Sequence, residues 1–128
     1  MRPERRWLTD TTVFAIHAQQ IERFGGAHGV RDQHVVPSAL ARPQQRWRSD
    51  ASADLADLAA LYLVGLSQAQ GFVDGNKRTG LACALVFLAL NDAALHVDGA
   101  DLYALVMRVA VNQADAAEVA RYVRARLS

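Results

Sequence analysis

The sequence predicts an all-α fold: a compact bundle of five to six helices in a single domain spanning 1–128. Three observations carry this. Apolar residues recur near a 3.6-residue period in segment after segment. No run alternates with the period of two that a half-buried strand needs. The three prolines and eight glycines fall mostly at segment ends. With 128 residues there is room for one core, and 52% apolar against 21% charged residues can bury it.

Each element has its own reason. Thr9 and Asp10 offer N-caps for a first helix, in which Val13, Ile16, Gln20, Ile21 and Phe24 recur until Gly25-Gly26 stops it. Ala27 to Asp32 reads as loop. A short second helix is expected from about Pro37 to Arg42, ended by Pro43, with Trp47 to Ser52 polar and loose. From Ala53 to about Ala69, Leu55, Leu58, Ala59, Leu61, Tyr62 and Val64 make a wide apolar stripe, and Asp50, Asp54 and Asp57 read as helix N-terminal charges. Gln70 to Gly75 is a loop bracketed by Gly71 and Gly75. The next helix, from about Asn76 to Leu90, is apolar nearly all round beyond Thr79, which predicts the centre of the bundle. Leu95-His96-Val97 suits a short extended piece. Ala100 to Asn112 and Asp115 to Arg126 are two more amphipathic helices, with Asp115 as N-cap and Arg121, Arg124 and Arg126 toward the negative end.

Composition excludes several functions. Fourteen Lys+Arg against thirteen Asp+Glu leave a net charge of +1, so bulk charge gives no general grip on nucleic acid. A single cysteine, Cys83, excludes an internal disulfide and a cysteine-based zinc cluster, and fits a reducing cytoplasm. The longest apolar run, Leu81 to Leu90, is too short to span a bilayer. The basic start, Met1 to Trp7, lacks the apolar region of a signal peptide.

One stretch stands apart: Gln70-Gly71-Phe72-Val73-Asp74-Gly75-Asn76-Lys77-Arg78-Thr79. It sets an acid, an amide, two bases and two glycines between the two most apolar helices, where polar groups are costly without partners. A glycine loop entering a helix start presents backbone N–H groups and a positive dipole end, an anion site. Lys77 and Arg78 add charge for a phosphate, and Asp74 is a hard oxygen ligand for a magnesium–phosphate complex. Phe72 is expected to anchor the loop to the core. The spacing is not that of a P-loop, which needs glycine immediately before the lysine and a strand before the loop. On these residues alone, a plain helix–helix turn with a capping Asn76 and a solvated basic pair stays open.

The stretch resembles the signature of the Fic/Doc family: His-x-Phe-x-Asp-Gly-Asn-Gly-Arg-x-x-Arg in the Fic branch, His-x-Phe-x-Asp-Ala/Gly-Asn-Lys-Arg-Thr in the Doc branch. Lys77 stands where Fic has its second glycine and Leu81 where Fic has its last arginine, so the likeness is to Doc. Gly29 to Asp32, Ser38 to Gln44 and Tyr62-Leu63-Val64 also resemble the family. The resemblance implies a Doc-like domain and the toxin of a toxin–antitoxin pair. It implies a protein Ser/Thr phosphotransferase that uses ATP to phosphorylate a threonine of elongation factor Tu and so blocks translation. Asp74 would hold Mg²⁺. Gly75, Asn76, Lys77, Arg78 and Thr79 would contact the nucleotide phosphates. A Phd-like antitoxin would bind in trans, since no Ser/Thr-x-x-x-Glu self-inhibiting motif is present.

The departure is Gln70, at the position of the family's general-base histidine. An amide cannot accept a proton near neutral pH, so the chain is expected to be inactive or impaired. The glutamine is either an introduced change that lets a toxin be expressed or a natural degeneration. The intact remainder of the motif favours the first. The alternatives are a Fic-type AMP transferase and a non-catalytic pseudo-enzyme that binds antitoxin or nucleotide.

Other residues read more plainly. His17, His28, His34 and His96 show no metal-ligand spacing, and His17 is expected to face a neighbour's polar edge. Cys83 reads as a small core residue, Trp7 and Trp47 as satellite packing, and the terminal arginines as solvated faces. Arg42 to Arg48 reads either as a surface loop or, by the resemblance, as a flap that seats the target.

Overall fold

A computed structural model describes residues 2–128, so Met1 of the N-terminal stretch lies outside the described residues. Six helices follow in order: α1 (Asp10–Phe24), α2 (Val35–Ser49), α3 (Leu55–Ala69), α4 (Asn76–Leu90), α5 (Gly99–Ala110) and α6 (Ala116–Arg124). Among the described residues there is no strand, only two isolated antiparallel bridges, Val30 with Phe72 and Leu95 with Leu127. The second bridge is the extended piece expected near Leu95, clasped to the C-terminal tail.

Local capping sets most boundaries. The Thr9 side chain accepts from the Thr12 N–H at the start of α1. Asp54 and Asp57 form a reciprocal capping box on α3, Asp98 caps α5 and Asp115 caps α6. The expected starts at Ala53 and Asp115 move inward because capping residues stand outside the helices they cap. Asp50 is corrected: it is the C-cap of α2, and its carboxylate accepts from Ser52 and Arg46, which hold its pKa at about 2.

The second helix is longer than its sequence predicts. It continues through Pro43 to Ser49. Pro43 forfeits one helical hydrogen bond, but its ring is fully buried in a stripe with Val36, Ala39, Leu40 and Trp47. Trp47 belongs to the main core, and Arg2 covers it, its guanidinium carbon 3.5 Å above the ring. The same Arg2 donates to the carbonyls of Trp47, Asp50 and Ala53, closing the end of α2. So Trp47 to Ser52 is not loose, and Arg42 to Arg48 is helix.

The hub is α3, not α4 as the sequence suggests. It packs against α2, α4, α5 and α6. Leu85 and Leu90 of α4 remain exposed. α3 and α4 approach closely at Gly80, where a Cβ would lie 2.6 Å from Ser67 Oγ and 2.8 Å from the Leu63 carbonyl. Cys83 is buried there, and burial pushes its thiol up to about 12, so it is an inert core residue. Of the C-terminal arginines, Arg124 is exposed yet paired: it spans Asp54 and Asp57 at 2.7 and 2.8 Å, tying α6 to the start of α3.

Candidate active site

The loop between α3 and α4 is built from its ends inward. Gln70 closes α3 in the left-handed conformation, φ 56° and ψ 40°, which a residue with a Cβ adopts at a cost. Its side-chain amide donates to the Ser67 carbonyl at 3.2 Å, and the residue is exposed. Gly71 follows where a Cβ would lie 2.9 Å from Val36 Cγ2 and 3.0 Å from Val35 Cγ2, so only glycine fits. Its carbonyl accepts from the N–H groups of Arg31 and Asp32, and the Val73 N–H donates to Gly29. The segment that lies along the loop is therefore Gly29 to Asp32. The Arg42 to Arg48 stretch, expected as a surface loop or a flap, is helical and belongs to α2.

Phe72 is the anchor that the sequence predicts. It is buried, stacked on the His17 ring at 3.8 Å and met edge-on by Phe14. Asn76 holds its backbone: Oδ1 accepts from the Phe72 N–H and Nδ2 donates to the Phe72 carbonyl, both at 3.0 Å. The Asn76 side chain is thus engaged within the loop, and its backbone N–H is the part left to face an anion. The N–H groups of Asn76, Lys77 and Arg78 have no carbonyl four residues back within α4.

Asp74 is exposed. Its Oδ1 accepts from the Gly75 N–H at 2.8 Å and its Oδ2 from the Ala27 N–H at 3.3 Å. These bonds, then the charges of Arg78 and Lys77, hold its carboxyl below the usual carboxylate range. Gly26, at φ +113°, passes so close that a Cβ would lie 2.6 Å from Asp74 Oδ2. Gly75 enters α4 at φ +78° beneath Ile21.

The two cations differ. Lys77 is exposed at the rim. Arg78 donates to the carbonyls of Gly25 at 2.9 Å and Gln20 at 3.5 Å, capping the end of α1. Thr79 does not reach the site: it is fully buried and its hydroxyl has no partner. Its expected contact with phosphate is corrected, because the first turn of α4 directs it into the core.

A cleft of about 430 Å³ is lined by Ser67, Gln70, Val73, Asp74, Lys77 and Arg78 together with Met107 and Ala110 of α5 and its C-cap Val111. Sequence reasoning missed the α5 wall; it placed His17 at a neighbour's polar edge, which is the Asp74 carbonyl, but gave it no part in the site. His17 lies on the buried face of α1 with Val13 and Ile21, and its Nε2 is 2.8 Å from the Asp74 carbonyl. A histidine four residues from an apolar neighbour on each side was the available signal.

The Fic/DOC family model matches residues 7–88, from the N-terminal segment into α4. The chain is 31% identical over 119 residues to the protein kinase doc of Escherichia phage P1, covering 93% of this chain and 94% of that protein. It is 43% identical over 76 residues to the toxin Doc of Mycolicibacterium smegmatis, covering 59% and 58% respectively. An all-α body, the loop between α3 and α4 and a match over most of the chain lead to one assignment: this protein belongs to the Fic/Doc family.

Proposed function

We propose that this chain is the toxin of a toxin–antitoxin pair, built to move the terminal phosphate of ATP onto a protein hydroxyl and impaired by Gln70. One observation carries the reading: the exposed Asp74 carboxylate stands beside the first-turn amides of α4, with Lys77 on the rim of the same cleft. Among the described residues no group of three or more His, Cys, Asp or Glu could enclose a metal. An ion here would take one carboxylate and complete its shell with phosphate oxygens and water, which suits Mg²⁺. Magnesium, when bound, would neutralise charge on the transferred group.

The chain's own groups do the rest. The amides of Asn76, Lys77 and Arg78 and the Lys77 ammonium hold phosphate oxygens. Asp74 would hold the metal. Met107, Ala110 and Val111 form an apolar wall that limits water. Residue 70 stands at the rim, where an incoming hydroxyl would need to lose its proton. Gln70 can orient such a hydroxyl but not deprotonate it.

Terminal-phosphate transfer is favoured over AMP transfer by Leu81. It lines a slot of about 240 Å³ with Lys77, Arg78, Leu102, Tyr103, Val106 and Met107, and its apolar side chain supplies no guanidinium in the place of the Fic branch's last arginine. The likeness to the phage P1 kinase supports the same reading. By the Doc resemblance, the target is a threonine of elongation factor Tu, the restraining partner is a Phd-like antitoxin and the site of action is the cytoplasm. No described helix is long and apolar enough to cross a membrane. A second reading, a non-catalytic module that binds nucleotide or antitoxin, is favoured by Gln70 alone, whose amide is turned to the Ser67 carbonyl.

The test uses Gln70→His with γ-labelled and α-labelled ATP. Label on elongation factor Tu from γ-labelled ATP alone supports the kinase. Label from α-labelled ATP alone makes it an AMP transferase. No label from either leaves the binding module as the function.

A further inference from the structure

We propose that His17 is a positioning residue for the Asp74 carboxylate, acting through the peptide between Asp74 and Gly75. The inference rests on the reading that Asp74 holds a divalent cation.

The His17 ring is 5% exposed, between Val13 and Ile21 on the inner face of α1. It lies flat on Phe72, at 3.8 Å and 7°. A Cβ on Gly75 would stand 3.7 Å from its Cδ2. The ring is therefore held in one place. Its Nε2 is 2.8 Å from the Asp74 carbonyl oxygen. A carbonyl only accepts, so the geometry assigns the proton to Nε2.

A trans peptide turns its C=O and N–H to opposite sides, and no peptide bond among the described residues is cis. With the Asp74 carbonyl gripped by His17, the Gly75 N–H must face the other way. It does so onto Asp74 Oδ1, at 2.8 Å. The imidazole thus fixes one plane, and that plane fixes the carboxylate. Ala27, just beyond the end of α1, supplies the second N–H, to Oδ2. Both restraints on Asp74 come from α1 or the turn that follows it, outside the motif loop.

Packing alone does not call for a histidine here. Asn76 already holds the Phe72 backbone and Phe14 meets its ring. A purely apolar side chain would fill the same space without burying a polar group. What only the Nε2–H supplies is the grip on the Asp74 carbonyl. Groups of this kind, one step removed from a metal, typically change its affinity by about 10–100-fold when lost.

The experiment measures Mn²⁺ binding to the full chain with ATP, by electron paramagnetic resonance, and the Gly75 amide proton shift by NMR without metal. His17→Phe keeps a flat ring and removes the donor. His17→Gln keeps an amide donor and removes the ring. His17→Phe should weaken Mn²⁺ binding roughly tenfold and move the Gly75 proton upfield, with the melting temperature nearly unchanged. His17→Gln should stay within about threefold of the parent. His17→Leu takes the place of the phenylalanine variant if that one does not fold, with the same expectation. Parental Mn²⁺ affinity in the donor-free variant overturns the proposal. So does a loss in His17→Gln as large as in His17→Phe, because the ring and not the donor would then matter. Asp74→Ala should abolish Mn²⁺ binding. If it binds as the parent does, the cation reading fails, and the Gly75 shift alone decides whether His17 sets the carboxylate: an unmoved proton overturns that too.

Discussion

The Asn76 side chain closes both hydrogen bonds of the Phe72 backbone, accepting from its N–H and donating to its carbonyl at 3.0 Å each. The Phe72–Asn76 turn of the loop is locked this way in a buried setting, with the Phe72 ring inserted below it. Asn76→Ala leaves two buried backbone groups without partners, at about 1–3 kcal/mol each. Asn76→Asp keeps the acceptor and loses the donor, so it should fall between parent and alanine below the loss of both bonds. Urea denaturation of the three proteins checks the order. Equal stability of Asn76→Ala and the parent would show that the pair is idle.

The proton acceptor is the missing part of the proposed chemistry. Gln70→His should arrest growth on induction and label elongation factor Tu from γ-labelled ATP. The expected gain over the parent is about 10²–10⁴ in rate, the usual worth of a general base. Adding Asp74→Ala should return the protein to silence while leaving its fold intact, since Asp74 is exposed. Growth curves and label transfer for the three versions check this.

Gly26→Ala should weaken nucleotide and Mn²⁺ binding. Its φ of +113° is strained for a side chain, at about 1–3 kcal/mol, and the new methyl group would press on Asp74 Oδ2. Gly25→Ala is the control: it too has a positive φ, but nothing lies within 4 Å of its Cβ position. Isothermal titration with Mn²⁺–ATP should separate the two, with the larger loss in Gly26→Ala.

Acid should loosen the junction of α3 and α6. Hydrogen bonds from Arg124, then those from Asp57, lower the Asp54 carboxyl from 3.8 to about 2. A depressed carboxyl contributes stability that is complete above its unfolded value near 4 and is lost as pH falls through about 2. Both Arg124 and Asp54 side chains are 46% exposed, so solvent screening keeps the contribution below about 1 kcal/mol. Thermal denaturation between pH 5 and 2 should fall less steeply in Arg124→Ala than in the parent. Identical slopes would remove the pair from the acid response.

Trp47→Ala should be among the most damaging single changes. The indole is 6% exposed in the core and carries Arg2 and Arg5 on its outer side. Its loss should cost about 3–5 kcal/mol. Arg2→Ala should cost less, because it removes the cap and the cover but leaves the core filled. Denaturation midpoints check the ranking.

Helix ends and the motif loop were legible because their causes are local. Thr9, Asp54 and Asp115 cap helices through contacts within three residues, and Gly25 ends α1 where it stands. The loop announced itself by polar density between two apolar helices. Pro43 was misread because its local penalty is offset by burial against elements distant in sequence, which propensity does not see. The same reason explains the site. Residue type put the side chains of Asn76, Arg78 and Thr79 on a phosphate, but the fold ties the Asn76 amide group to Phe72, turns the Arg78 guanidinium to Gly25 across 53 residues and buries Thr79. His17 meets Asp74 across 57 residues. A sequence by itself determines which polar groups are available and which segments coil. Which partner each group takes depends on contacts far apart along the chain, and those exist only once α1 has packed beneath the loop.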